Sequence, residues 1–153
     1  MSARGLVIAT TLEGGNGGIA RVARLMIRAL RQQEGLGCDA MSCLDRAEAV
    51  RELMPVRCFG GRRVGLAWSV ARAQLRGDLL LFDSLSMARL YQPWLRRSAA
   101  VAWFHGVDAW EQASSHRITT ARKMPMLVCN SEYTRARAER VHGGFARAHV
   151  CWL

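Results

Sequence analysis

The strongest constraint on the fold is a repeated alternation between short apolar runs and longer segments with helical periodicity. The runs are bounded by glycine, proline or polar residues, which favours short buried strands. They lie at Leu6–Thr10, Ala40–Leu44, Val56–Phe59, Asp78–Asp83, Ala99–Phe104, Met126–Cys129 and Ala148–Leu153. Strands that alternate with helices form a parallel sheet covered on both faces. The sequence therefore predicts the α/β class: a Rossmann-like three-layer domain with a mostly parallel sheet.

The segments between these runs carry the helical pattern that such a fold requires. In the clearest one, apolar residues share one face and arginines 21, 24, 28 and 31 occupy the other. Further helices are expected at Ala47–Met54, Val64–Leu75, Ser84–Tyr91, Ser114–Met124 and Glu132–Val141. We detect neither a linker nor an internal repeat, so a single domain is predicted to span residues 1–153.

The net positive charge restricts the classes of partner that the chain is expected to bind. The formal net charge is +10 and the pI is about 10.9, which favours phosphorylated substrates, an anionic membrane surface or nucleic acid. Nucleic acid is the weakest of these, because basic and aromatic residues are not interleaved and no helix-turn-helix pattern is present. A simple solvated basic face remains the competing interpretation.

Cysteine usage and hydropathy favour a cytoplasmic chain. The five cysteines have irregular spacing and form no C-x-x-C pair, which is typical of reduced thiols rather than of disulfides or a zinc site. The apolar stretch near the N-terminus is too short for a signal peptide, and no run approaches a membrane span. We therefore expect any membrane contact to be peripheral, on the inner face, and we expect no bound metal.

Three polar motifs follow predicted strands directly. They are the glycine loop Gly14–Gly18, the segment that begins at His105, and the segment that begins at Ser131. In parallel sheets, ligands bind outside the carboxyl ends of the strands. The three motifs should therefore share one edge of the sheet, where they would form a ligand site.

The glycine loop is suited to close approach of an anionic ligand. Glycines let backbone N–H groups reach the ligand, and the following helix offers its positive end. Gly15-x-Gly17-x-x-Ala20 matches a loose dinucleotide fingerprint, although residues 11–13 separate it from the strand and no Gly-Lys-Ser/Thr follows. A nucleotide- or NAD-binding module and a plain tight turn both stay open as alternatives.

The other two motifs combine polar side chains with helix starts. His105 ends a strand and has a carboxylate, Asp108, three residues later, a position typical of catalytic groups. Asp108 is expected to cap a turn, with Glu111 at the spacing of a capping box. Ser131 is expected to cap a helix and, in addition, to face the ligand cleft.

Together these segments resemble the family 4 retaining glycosyltransferases. The matching stretches are Gly-Gly-Ile-Ala-Arg-Val at 17–22, His-Gly-x-Asp-x-Trp at 105–110 and Val-x-Asn-Ser-Glu-Tyr-Thr-Arg at 128–135. The resemblance implies a GT-B fold, in which two Rossmann-like domains face each other across a cleft. The N-terminal domain mostly binds a glycan or glycolipid acceptor, and the C-terminal domain mostly binds a nucleotide-diphosphate sugar. Transfer retains the anomeric configuration and needs neither a metal nor another cofactor.

The resemblance also implies roles for individual residues. His105 would be the catalytic residue, which hydrogen-bonds the transferring sugar and stabilises charge at the reaction centre. The implied substrate-binding residues are Gly17 and Gly18 near the diphosphate or the sugar, Asp108, Ser131 and Glu132 along the cleft, and Arg21 and Arg135 for anionic acceptor groups.

One departure from the family is large. The basic residue and paired glutamates with which the family's C-terminal domain grips the donor have no counterpart in these 153 residues. The expectation is therefore an N-terminal, acceptor-side half, either a fragment or one part of a split enzyme whose partner subunit supplies the donor domain. Alone it should be inactive. A non-catalytic binding domain is the remaining alternative.

Overall fold

Seven parallel strands form the centre of the protein. The structure, a computed structural model, describes residues 3–53, 55–95, 98–145 and 147–152. The sheet order is β3-β2-β1-β4-β5-β6-β7. The strands are β1 (Ala3–Ala9), β2 (Leu36–Ser42), β3 (Val56–Cys58), β4 (Leu79–Phe82), β5 (Ala100–Trp103), β6 (Met126–Cys129) and β7 (His149–Val150). Every strand pair in these ranges is parallel, which confirms the predicted fold class.

Helices follow the strands in the predicted alternation. They are α1 (Gly17–Arg31), α2 (Arg63–Arg76), α3 (Leu85–Ala88), α4 (Gly106–Ala109), α5 (Ser115–Lys123) and α6 (Glu132–His142), with 3₁₀ turns at Ala47–Leu53 and Pro93–Leu95. None of the helices in the described ranges has the length and hydrophobicity needed to cross a membrane.

Several boundaries differ from the sequence prediction; for example, β1 begins at Ala3 rather than Leu6, and α3 ends at Ala88 rather than Tyr91. β2 begins at Leu36 rather than Ala40, because its first residues pair in register with the start of β1 and leave side chains such as Asp39 only partly covered. The helix predicted at Ala47–Met54 is a 3₁₀ segment interrupted at Val50, whose φ of −128° is not helical. Met54 and Leu153, which end two of the predicted elements, lie outside the described residues.

Both faces of the sheet are buried. Along β1, Leu6 and Ile8 pack with α2, whereas Val7 and Ala9 pack with α1 on the opposite face. A strand covered on both sides has no polar face, so its sequence is a continuous apolar run rather than an alternating one.

The strand order creates a crevice between β1 and β4. From β1 the chain passes through α1 to β2 on one side, and from β3 it crosses through α2 to β4 on the other side. The loops that leave β1 and β4 therefore diverge at their carboxyl ends. In open α/β sheets this divergence is where ligands bind.

Candidate functional site

Asp83 lies at the carboxyl end of β4, beside this crevice. It follows β4, is fully buried, and accepts hydrogen bonds from the Thr10 backbone N–H (2.7 Å) and the Ser84 hydroxyl (2.9 Å). Burial raises the pKa of Asp83 from 3.8 to about 6, while the bonds from Thr10 and Ser84 act against this rise and the Asp108 carboxylate adds to it. The crevice therefore contains a carboxyl group that ionises close to neutral pH.

The raised pKa of Asp83 predicts a specific pH dependence of stability. The folded state holds the proton on Asp83 more tightly than the unfolded chain does. The contribution of this proton to the free energy of unfolding is therefore fully present below about pH 4 and is lost as the pH rises through about 6. Relative to the Asp83→Asn variant, which cannot titrate, we expect the wild-type protein to lose about 2–3 kcal/mol of unfolding free energy between about pH 4 and about pH 7.

Urea denaturation across this pH range measures the difference. Glu34→Gln, at an exposed carboxylate beyond α1, serves as the control. A wild-type-minus-Asp83→Asn difference that stays constant with pH would contradict the assignment of this titration to Asp83.

His105 is anchored to the same residue. Its Nε2 lies 2.9 Å from the backbone carbonyl oxygen of Asp83. Because a carbonyl can only accept, Nε2 carries a proton and donates the hydrogen bond; whenever the ring is neutral, Nδ1 is then the acceptor. The ring is thus held beside the crevice in one tautomer, as the position at a strand end predicts.

The residues after His105 form a tightly packed turn. A Cβ atom on Gly106 would lie 2.4 Å from Cζ2 of Trp110, so the Trp110 ring occupies the space that any other residue would need. The ring also contacts the edge of Tyr133, with centroids 6.0 Å apart, and the Arg137 guanidinium at 4.5 Å. Trp110 therefore packs as a structural support for this turn.

Asp108 does not cap the turn, so that prediction was wrong. The N-cap of α4 is His105, and the Asp108 N–H donates to the His105 carbonyl (2.9 Å) from inside the helix. Because α4 already begins at Gly106, Asp108 lies within the helix rather than before it. Glu111 instead binds Arg137 through two 3.0 Å hydrogen bonds.

The Asp108 carboxylate is buried and incompletely bonded. Oδ1 lies 3.5 Å from Nη1 of Arg117, and Oδ2 accepts no hydrogen bond from any described residue. A buried acceptor of this kind is a place where a ligand or a water molecule completes the bonding.

A second carboxylate, Asp45, fixes the segment that connects β1 to the glycine loop. It follows β2 and accepts hydrogen bonds from the Thr11 hydroxyl (2.6 Å), the Leu12 N–H (2.5 Å) and the Ser42 hydroxyl (2.7 Å). Arg24 of α1 donates to the Leu12 carbonyl (3.1 Å). The segment between β1 and the glycine loop is thus fixed against the end of β2.

The glycines of the loop face open space. Gly17 has a φ of +85°, which side chains rarely adopt, and a Cβ on either Gly17 or Gly18 would meet nothing within 4 Å. The Asn16 side chain does not cap α1, and the first turn contains no acidic residue. Arg21 lies exposed one turn further along the helix. The backbone N–H groups at this end of α1 therefore present positive partial charge to solvent.

Ser131, Glu132 and Arg135 lie at the same edge but two strands from β4. The Ser131 hydroxyl accepts from the Thr134 N–H (3.1 Å), which confirms its predicted cap on α6. Glu132 and Arg135 form an exposed ion pair of 2.8 Å. A ligand-facing role for these three residues stays a prediction.

Sequence reasoning missed the two carboxylates that organise the site. Asp83 served only to mark the end of a strand, and Asp45 was not singled out. Both residues directly follow apolar runs, and this position at the end of a predicted strand is the signal that the sequence offers for their role. Their contacts depend on which strands are neighbours, and no local pattern contains that information.

The fold is shared with a solved structure that contains a nucleotide. The chain is similar to HepE from Anabaena, determined in complex with UDP, with a TM-score of 0.70 and 15% sequence identity. The match covers 98% of this chain and 43% of the HepE chain, so the chain spans less than half of that protein. Neither a protein-family model nor a curated protein sequence matches the chain. At this identity the likeness shows the Rossmann-like α/β fold.

Proposed function

We propose that the chain is the N-terminal, acceptor-side domain of a GT-B glycosyltransferase of the retaining, family 4 type. It would take part in moving a sugar from a nucleotide-diphosphate sugar to a glycan or glycolipid acceptor. The observation that carries the proposal is that Asp83, beside the crevice between β1 and β4, binds both the Thr10 N–H, four residues before the glycine loop, and the His105 ring. The UDP bound by HepE, which has the same fold, supports a nucleotide-sugar as the partner.

The geometry suits a reaction that depends on electrostatic stabilisation. The open amide end of α1 would approach the diphosphate or the sugar, and Nδ1 of His105 would accept a hydrogen bond from a sugar hydroxyl. Arg21 would meet an anionic group of the acceptor. A second domain, in the same polypeptide or in a partner subunit, would hold the rest of the donor.

The Gly18→Ala variant tests whether the loop approaches the ligand. Because the added methyl group meets no protein atom within 4 Å, the folded protein should be as stable as the wild type, or more stable by up to about 1 kcal/mol. The methyl group should nevertheless obstruct the ligand, so the affinity for a UDP-sugar should fall about tenfold.

Isothermal titration of UDP-sugars into the protein as its cells make it gives the affinity, and thermal denaturation gives the stability. Gly37→Ala is the matched control, because its Cβ would also meet nothing but lies on β2, away from the crevice. Unchanged affinity in Gly18→Ala would remove the loop from the binding site.

The alternative of an NAD-binding module has one favourable observation. Gly15 and Gly17, the first two positions of the loose fingerprint, both have a positive φ. Saturable binding of NAD that UDP-sugars do not compete with, and that Gly18→Ala weakens, would favour this alternative over sugar transfer.

A further inference from the structure

The solvent face of α2 is apolar, which is unusual for a helix that already buries its other side. Val64, Trp68 and Leu75 are 85%, 67% and 48% exposed. Their spacing places them on one side of the helix, together with Ala71, and opposite the side buried on the sheet. We call these four residues the α2 outer face.

Arginines surround this face. α2 itself contains Arg63, Arg72 and Arg76 and no acidic residue. Within the described ranges, Arg63 and Arg72 form no ion pair, whereas Arg76 binds Asp78 at 2.7 Å. A groove of about 580 Å³ runs beside the helix, and Arg57, Trp68 and Arg72 are among the residues that line it. The surface thus combines exposed apolar side chains with uncompensated positive charge.

We propose that the α2 outer face docks on a bilayer that contains anionic phospholipids. Tryptophan and aliphatic side chains partition into the boundary between headgroups and acyl chains, and flanking arginines bind lipid phosphates. A net charge of +10 adds long-range attraction to such a surface. A second copy of the chain is a poorer occupant, because a symmetric contact would bring arginines against arginines.

Docking through α2 leaves the candidate site accessible. α2 covers one face of the sheet, whereas the crevice opens at the carboxyl edge of the strands. The inference does not depend on the proposed function, since it rests on residues that take no part in the candidate site.

Sedimentation with lipid vesicles tests the inference. The protein should bind vesicles of phosphatidylcholine mixed with phosphatidylglycerol, should not bind pure phosphatidylcholine, and should be released by salt. Trp68→Ala and Arg72→Glu should each weaken binding about tenfold. The matched controls are Trp152→Ala, at a 72% exposed tryptophan beyond β7, and Arg28→Glu on α1; both should bind as the wild type does.

Three outcomes would overturn the inference. The first is failure of the wild-type protein to bind anionic vesicles. The second is equal weakening by the α2 variants and the controls, with circular dichroism showing all of them folded. The third is that the wild-type protein does not bind vesicles but forms a concentration-dependent dimer, and that the Trp68→Ala substitution dissociates this dimer. That result would identify the α2 outer face as a contact between copies of the chain.

Discussion

Under the proposed function, replacing His105 with alanine is expected to lower the rate of sugar transfer by the protein as its cells make it about 10²- to 10³-fold, because a group that stabilises charge at the reaction centre is lost. The ring is fixed by its bond to the Asp83 carbonyl, so its Nδ1 atom has a defined position beside the crevice. The His105→Gln variant distinguishes a role of this side chain in binding the Asp83 carbonyl from a role in the reaction itself. Its side-chain amide can reproduce the Nε2 donor but offers no acceptor at Nδ1, so it should be nearly as impaired as His105→Ala.

Transfer of a radiolabelled sugar, with kcat and KM determined separately, measures this effect. His116→Ala, at an exposed histidine on α5, is the control and should retain full activity. Thermal denaturation would show that the His105 variants remain folded. Full activity of His105→Ala would end the catalytic assignment, and full activity of His105→Gln alone would restrict its role to anchoring.

Gly106→Ala is expected to cause the largest structural disturbance of any single methyl group in the site. The new Cβ would lie 2.4, 2.6 and 2.8 Å from three atoms of the Trp110 ring, so the ring must move. Its displacement breaks the packing on Tyr133 and Arg137. We expect the free energy of unfolding to fall by about 1–3 kcal/mol, which is the usual cost of overpacking a filled site. Tryptophan fluorescence should also change.

A double-mutant cycle identifies the cause. Combining Gly106→Ala with Trp110→Leu should cost less than the sum of the two single changes, because the smaller side chain leaves room for the methyl group. Gly65→Ala is the control, since its Cβ would meet Phe59 at an ordinary 3.5 Å. Strictly additive effects would mean that the Trp110 ring is not what excludes a side chain at position 106.

The fold was largely predictable because its signals are local. The bounds of β6 agree with the prediction at both ends, since a continuous apolar run lies between Pro125 and the polar Asn130. Ser131 and the paired glycines at 143 and 144 marked α6 equally well. The start of β2 was missed because polar and glycine residues there are held by pairing with β1 rather than by burial.

The site was less predictable because its contacts are not local. His105 was recognised from its place at a strand end, but its bond to Asp83 requires β4 and β5 to be neighbours in register. The arginines of α1 were expected only to lie on the helix face opposite the apolar residues. Arg24 and Arg31 instead donate to the carbonyls of Leu12 and Leu53, because a helix packed on a sheet also borders the loops beside it.

The two carboxylates at the start of the connection from β1 to α1 also affect the entropic cost of ordering this connection. Asp83 binds the N–H of Thr10 and Asp45 binds the N–H of Leu12, so the backbone conformation of its first half is already restricted. The glycine-rich part that remains, residues 14–16, is short because α1 begins at Gly17. Under the proposed function, ordering about three residues on ligand binding would cost far less than ordering the whole connection from β1 to α1. Asp45 and Asp83 would thereby preorganise a segment whose glycines alone would make it entropically costly to order.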